Sequence, residues 1–272
     1  MKPGLHKAAD VARHLMRYLL IILSFHYSSI SVAQIGKKVN SVLLKHNFDA
    51  FLSYAKSCSE EKDGYTIEEG NIREITTGYQ EAMFEMVKSY QMNPSVSFTA
   101  NSKIKVLTYK NRVIYFFVEN KEMKGFPKNF VTSNDTTFEY IDKPAMLALR
   151  KQYFREYGAE LRTEDLFIDT ISVGTKCGRY PGVRTSEFEQ ILKWISSRDT
   201  ANLDKWLQSP NAEKQVYSII GFYNLHLKGY KLSEETLRIV DRVRRKRGTV
   251  NTCIPCDGRE RQIAHVLEDY KF

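Results

Sequence analysis

From Thr185 to Val250 apolar residues recur at helical spacing with enough regularity to read as consecutive amphipathic helices. Any fold for this chain must bury their stripes. Phe188, Ile191, Leu192 and Ile195 fall at i, i+3, i+4 and i+7, with Thr185 or Ser186 placed to cap the start. After Arg198-Asp199, Leu203, Trp206 and Leu207 make a second short face. Ser209-Pro210 restarts a helix, Ser209 as N-cap and Pro210 at the first position, where a missing N–H costs nothing. Val216, Ile219, Ile220, Tyr223 and Leu227 form the clearest stripe, and Gly229 ends it. Ser233 caps the next helix, with Leu237, Val240 and Val243 expected inside and Thr236, Arg238 and Arg242 outside. Gly221 sits mid-helix, where glycine costs about 1 kcal/mol against alanine. A glycine tolerated there lets a neighbouring helix come close.

The chain before this layer changes period. Val39, Val42, Leu43, Phe48, Phe51, Leu52 and Ala55 predict a helix over Val39 to Ser57. Ile75, Tyr79, Ala82, Met83, Met86, Val87 and Tyr90 predict a second over Ile72 to Gln91, stopped by Asn93-Pro94. Alternation then sets in at Val96, Phe98 and Ala100 and at Ile104 and Val106, and Lys110-Asn111 reads as a hairpin turn. Val113 to Val118 is apolar on both faces and β-branched or aromatic, the pattern of a central strand. Phe130 to Thr132 and Phe138 to Ile141 add two short strands. Asp142-Lys143-Pro144 opens a helix with Met146, Leu149, Tyr153 and Tyr157 on one face, ended by Gly158. Leu166 to Val173 fits a strand or a helix equally.

Segregated elements of this kind predict an α+β fold, mainly α: N-terminal helices with a small antiparallel β-meander, then a C-terminal helical layer. The expected division is a leader at 1–33, an α+β part at 34–174 and the helical part at 175–272. The boundary falls in the loop around Gly174 to Gly182. Short antiparallel helices with a small residue at the contact resemble the HEAT and armadillo α-solenoid repeats. The resemblance spans about one and a half units of the usual ~40-residue period. It implies a binding surface on a concave face lined by alternate helices.

Residues 1–33 carry the marks of a secretory signal. Lys2, Lys7, Arg13 and Arg17 precede the apolar run Tyr18 to Phe25, and Ser31-Val32-Ala33 supplies small residues for cleavage. The run is far short of the ~20 residues that span a bilayer. The expectation is an exported chain, periplasmic or secreted, starting at Gln34 and without a transmembrane span. The formal charge is +9; losing those four cations and Asp10 leaves +6, a mild basic bias and no nucleic-acid signature.

An exported chain with four cysteines is expected to oxidise them, so Cys58, Cys177, Cys253 and Cys256 are disulfide candidates, with three connectivities open. Cys177 bridged to Cys253 or Cys256 would tie the central loop to the end of the helical layer. The competing arrangement is Cys253–Cys256 with Cys58–Cys177. Cys253-Ile254-Pro255-Cys256 also admits a thiol reading, if a helix begins near Asp257 or Gly258 and stabilises a thiolate. Thioredoxin-like enzymes look like this locally, but carry the motif early in a fold that the remaining residues here cannot complete. A zinc reading would add Cys177, Cys58, His226 or His265 to the pair, although the second half of a zinc motif is missing.

Arg242, Arg244, Arg245, Lys246 and Arg247 close a helix, where cations suit the macrodipole. They are also candidates for contact with an anionic lipid or polysaccharide surface. The chain has no G-x-S-x-G, H-E-x-x-H, P-loop or G-x-G-x-x-G. Glu164, Asp165 and Asp169 offer carboxylates near the Cys177 loop; His46, His226 and His265 sit at helical positions suited to surface or packing roles. These residues imply no catalytic set, metal or cofactor. The expectation is a non-enzymatic exported binding or scaffold protein whose partner is another envelope or extracellular protein. The alternative is a cell-envelope enzyme near Cys177, Asp165 and Asp169, or a thiol or zinc protein using Cys253 and Cys256.

Overall fold

The computed structural model describes residues 32–93, 96–119, 121–124, 131–134, 137–174, 184–254 and 257–272. It opens with α1 (Val32–Leu43), α2 (Phe48–Ser57) and a single turn α3 (Glu60–Asp63). The strands β1 (Thr66–Thr76), β2 (Tyr79–Asn93), β3 (Val96–Tyr109), β4 (Arg112–Val118), β5 (Lys121–Lys124), β6 (Val131–Asn134) and β7 (Phe138–Ile141) follow. Then come α4 (Lys143–Tyr157), a 3-10 turn (Thr163–Asp165), α5 (Ser186–Ser197), α6 (Thr200–Leu207), α7 (Ala212–Leu227) and α8 (Glu234–Arg244). The hairpin β8 (Thr249–Ile254) and β9 (Asp257–Gln262) and the turn α9 (Ile263–Val266) close the chain. The fold is α+β.

The leader read at 1–33 lies outside the described residues up to position 31, and the cleavage point after Ala33 falls in the first turn of α1. No described helix is long and apolar enough to cross a membrane. The single helix expected over Val39 to Ser57 is two. His46 takes a left-handed backbone and Asn47 caps a new helix, its side chain accepting from the Ala50 N–H. A capping asparagine offers the backbone an alternative to continuing the first helix.

The larger correction concerns Ile72 to Gln91, which is not a helix but most of a long hairpin, β1 and β2. The sheet runs antiparallel in the order β1-β2-β3-β4-β7. Its middle is covered on both faces. Val39, Leu43 and Phe51 of α1 and α2 pack with Phe84, Met86, Val106 and Phe116 on one side. Ile75, Tyr79, Leu107 and Ile114 pack with α4 to α8 on the other. A strand buried on two faces loses its period of two, so β2 offered a spacing that a helix template could match. The tight turn at Lys110-Asn111 is as expected: both residues have positive φ, and Tyr109 pairs with Arg112, the geometry a two-residue hairpin needs.

The helical layer keeps most of its caps. Thr185, Ser233 and Asp142 each accept from a first-turn N–H, and Gly158 ends α4 in the left-handed conformation. Several expectations fail, among them Leu227, which ends the α7 stripe but is 66% exposed. The α7 cap is Asn211; Ser209 is buried and donates instead to Asp165. In α8, Thr236 is buried and Leu237 is exposed. The segment Leu166 to Val173 is irregular and ends in a parallel bridge from Val173 to Thr252.

Gly221 does let helices approach. A Cβ there would sit 2.5 Å from Leu203 Cδ2 and 3.5 Å from Ile191 Cγ2, side chains of α6 and α5 that are both fully buried. Overpacking of that kind costs about 1–3 kcal/mol, which offsets the roughly 1 kcal/mol alanine gains as a helix former. Gly221→Ala should therefore lower the urea midpoint, and Leu203→Val in the same chain should restore part of it. A higher midpoint for Gly221→Ala alone would contradict this packing.

Candidate functional site

Arg73 of β1, 1% exposed, is the centre of the buried polar structure. Its Nε donates to Glu81 Oε1 at 2.5 Å, and Nη1 donates to both oxygens of Glu213 on α7 at 2.7 and 2.6 Å. Nη2 donates to the Ile168 carbonyl at 3.0 Å. Burial works against the Arg73 charge, but Glu81 and then Glu213 more than offset it, and the guanidinium ends above its ordinary value. Burial also lifts the Glu213 carboxyl, with Arg73 pulling the other way.

This hub fixes a loop. The second Glu81 oxygen accepts from the Phe167 N–H at 2.8 Å, so Phe167 and Ile168 are both held through Arg73 and its partner. Phe167 has φ of 59°, an unfavourable conformation for a bulky residue that persists only where the surroundings over-determine it. Its ring meets Tyr115 at 5.9 Å between centroids.

The Phe167 loop forms one wall of a cleft of about 750 Å³ between the sheet and α4, a size typical of ligand sites. Two cross-strand rows make its floor. One is Leu107, Tyr115 and Ile141; the other is Lys105, Phe117 and Glu139. The Lys105 ammonium lies 5.8 Å from the centroids of both Phe117 and Phe167, within cation–π range. Burial, and then the neighbouring Glu139 carboxylate, push the Tyr115 phenol up to about 12, so it stays a hydrogen-bond donor. Lys143, Met146, Leu147 and Arg150 of α4 and Thr163 and Glu164 of the 3-10 turn form the rim. The cleft thus offers an aromatic floor, a fixed cation and a mixed polar edge.

The residues singled out from sequence lie elsewhere. Arg242 points inward, paired with Glu74 and with Glu156 at 2.7 Å. Lys246 is fully buried, donating to Gln215 Oε1 at 2.7 Å with its ammonium 5.6 Å from the Tyr157 ring centroid. Arg244 lies over Phe272, and only Arg245 and Arg247 of the run stand in solvent. The five cations therefore do not form one anionic-contact surface: Arg242 and Lys246 are drawn inward to Glu74, Glu156 and Gln215, while Arg245 and Arg247 face out.

Asp165 is buried and accepts from Ser209 and Lys214, with Arg162 alongside; despite burial these partners hold its carboxyl below the usual range. It braces the start of α7. Asp169 is paired with Lys103 at 2.7 Å. Glu164 alone of the three borders the cleft.

Cys58 is a free thiol, its Sγ 3.4 Å from the Tyr54 carbonyl, so the expectation of four oxidised cysteines fails at this position. Cys177 and Cys256 lie outside the described residues, and Cys253 is disulfide-bonded. Residues 257–262 are a strand, with Cys253 opposite Gly258, so the helix N-terminus needed for a stabilised thiolate does not follow the motif. Among the described residues no three His, Cys, Asp or Glu side chains gather to hold a metal ion. His226 lies tilted against the Phe272 ring and His265 is exposed beside Glu268.

The cleft residues Lys105, Tyr115, Phe117, Glu139 and Phe167 escaped sequence reasoning. The signal for four of them was parity: odd positions of β3, β4 and β7 share one face of the sheet. Comparison with known proteins finds no family model, no curated protein and no solved structure that matches this chain.

Proposed function

We propose that this is an exported, non-enzymatic binding protein that holds an aromatic or apolar segment bearing a negative charge in the cleft between α4 and the sheet. The observation that carries the reading is the caged Lys105, a cation set against Phe117 and Phe167 on a largely aromatic and aliphatic floor, with Glu139 at the far end of its row. An acidic group set against Lys105, with its apolar body on Tyr115 and Leu107, would satisfy both halves of such a site. A segment of another envelope or extracellular protein has that chemistry. Export rests on the sequence pattern of residues 1–33. The helices whose spacing resembles HEAT and armadillo units act in this reading as the support behind the cleft, not as its surface. An enzyme working near Asp165 and Asp169 is less favoured, since a cation already holds each carboxylate.

The aromatic anion 8-anilinonaphthalene-1-sulfonate is a suitable probe. It should bind at one saturable site, seen by fluorescence, and Lys105→Glu should weaken it at least about tenfold through charge reversal at a half-buried position. Arg245→Glu, an exposed change on α8, should leave it unaltered, with circular dichroism unchanged in both. Absence of saturable binding, or equal binding by Lys105→Glu, would refute the proposal.

A further inference from the structure

Helix α4 turns only one side to the core. Leu149, Tyr153 and Tyr157 are fully buried, while Leu147 and Phe154, beside that stripe and turned out of the core, are 54% and 56% exposed. Seven residues apart, these two stand within about 20° of each other around the helix axis. Lys143 and Arg150 lie to one side of that apolar line and Lys151 and Arg155 to the other, all four exposed. None of the four has an ion-pair partner among the described residues. Glu156, the one acid on α4, turns away to Arg242. Glu160 stands at the far end of the face, and Glu139 and Glu164 lie across the cleft.

We infer that this face docks the protein onto an anionic lipid bilayer, with Phe154 and Leu147 entering the headgroup boundary and the four cations beside them meeting lipid phosphates. An apolar line between two rows of long cationic side chains is the arrangement of a helix lying in a membrane surface, because lysine and arginine can bury their stems while keeping the charge among headgroups. A second copy of this chain is a poor occupant. A two-fold contact would set the same cations against each other. The face shares Lys143, Leu147 and Arg150 with the cleft rim, but Phe154, Lys151 and Arg155 do not line the cleft, so they test the inference separately.

Co-sedimentation of the full chain with vesicles tests it. Phosphatidylcholine vesicles containing phosphatidylglycerol should bind the protein, phosphatidylcholine alone should not, and salt should weaken the binding. At roughly 1 kcal/mol per cation near a charged surface, Lys151→Glu with Arg155→Glu should reduce binding at least about thirtyfold. Phe154→Ser should reduce it about tenfold, and Lys105→Glu, in the cleft, should not change it. Lys151, Phe154 and Arg155 are exposed and Lys105 is half-buried on the cleft floor, and circular dichroism would confirm that each variant is folded. Equal binding to neutral vesicles, or parental binding by the double charge reversal, would overturn the inference. So would tight binding to soluble polyglutamate that survives Phe154→Ser, which would make an acidic polymer the occupant.

Discussion

Arg73→Met is expected to cost about 3–5 kcal/mol, a large fraction of the roughly 5–15 kcal/mol by which a protein of this kind is stable. The figure follows from what stays behind. Without the guanidinium, Glu81 and Glu213, 1% and 0% exposed, keep the Phe167 and Asn251 N–H groups but lose the cation they share, and the Ile168 carbonyl loses its donor. The cost of breaking a buried pair is mostly the stranded charge, and this site would strand two. Chemical denaturation of parent and variant measures the loss. If stranded charge is the cause, adding Glu81→Gln and Glu213→Gln to Arg73→Met should recover a large part of the midpoint. A loss below about 1 kcal/mol would mean that water reaches this site and screens it.

The second large effect is a rise in stability with pH. Burial pushes the Lys246 ammonium from 10.5 down to about 7, with Glu81 and Glu74 raising it and Arg242 and Arg73 lowering it further. Its contacts are Gln215 and the Tyr157 ring, neither of them a countercharge. The folded state therefore releases this proton at lower pH than the unfolded chain does. Stability should climb by about 3 kcal/mol between pH 7 and 9.5, while below pH 7 both states keep the proton and the group adds no slope. Lys246→Met should remove that climb. A parent whose denaturation midpoint is flat over this window would show the ammonium to be solvated or paired after all. At acid pH a separate loss is expected. Glu156, which burial alone would raise, is held down to about 2 by the hydrogen-bond donors around it, Arg242, the Thr77 N–H and Gln152 among them, so its contribution goes as pH falls below the carboxylate range.

Local rules carried the reading of the helices a long way. Thr185 and Ser233 cap where their side chains predict, Lys110-Asn111 turns, and Gly221 sits where two helices close in. These features depend on neighbours within a turn or on a missing side chain. What failed depends on distant partners. Whether Ile72 to Gln91 coils or extends is decided by the β3 strand beside it and by a core on each face, and none of that is local. The Arg242 to Lys246 run announced its charge but not its direction, because Glu74 and Gln215, which receive two of its cations, are remote in the chain. The cleft was hidden for the same reason: its floor is assembled from three strands and its wall from a loop pinned by Glu81.

The edge strand β1 is finished by residues made much later. Glu74 donates its N–H to the Arg247 carbonyl, Gly248 bridges to Arg73, and Glu213 reaches Arg73 across 140 positions. A ribosome delivers these partners well after β1 itself. While the final third is still being synthesised, the growing molecule holds a hairpin with an open rim and a cation whose second carboxylate does not yet exist. Such a rim is an invitation to pair with a neighbouring chain. Completion of the native state is thus tied to the arrival of the C-terminal hairpin, and a message truncated before it should yield a product that associates instead of folding.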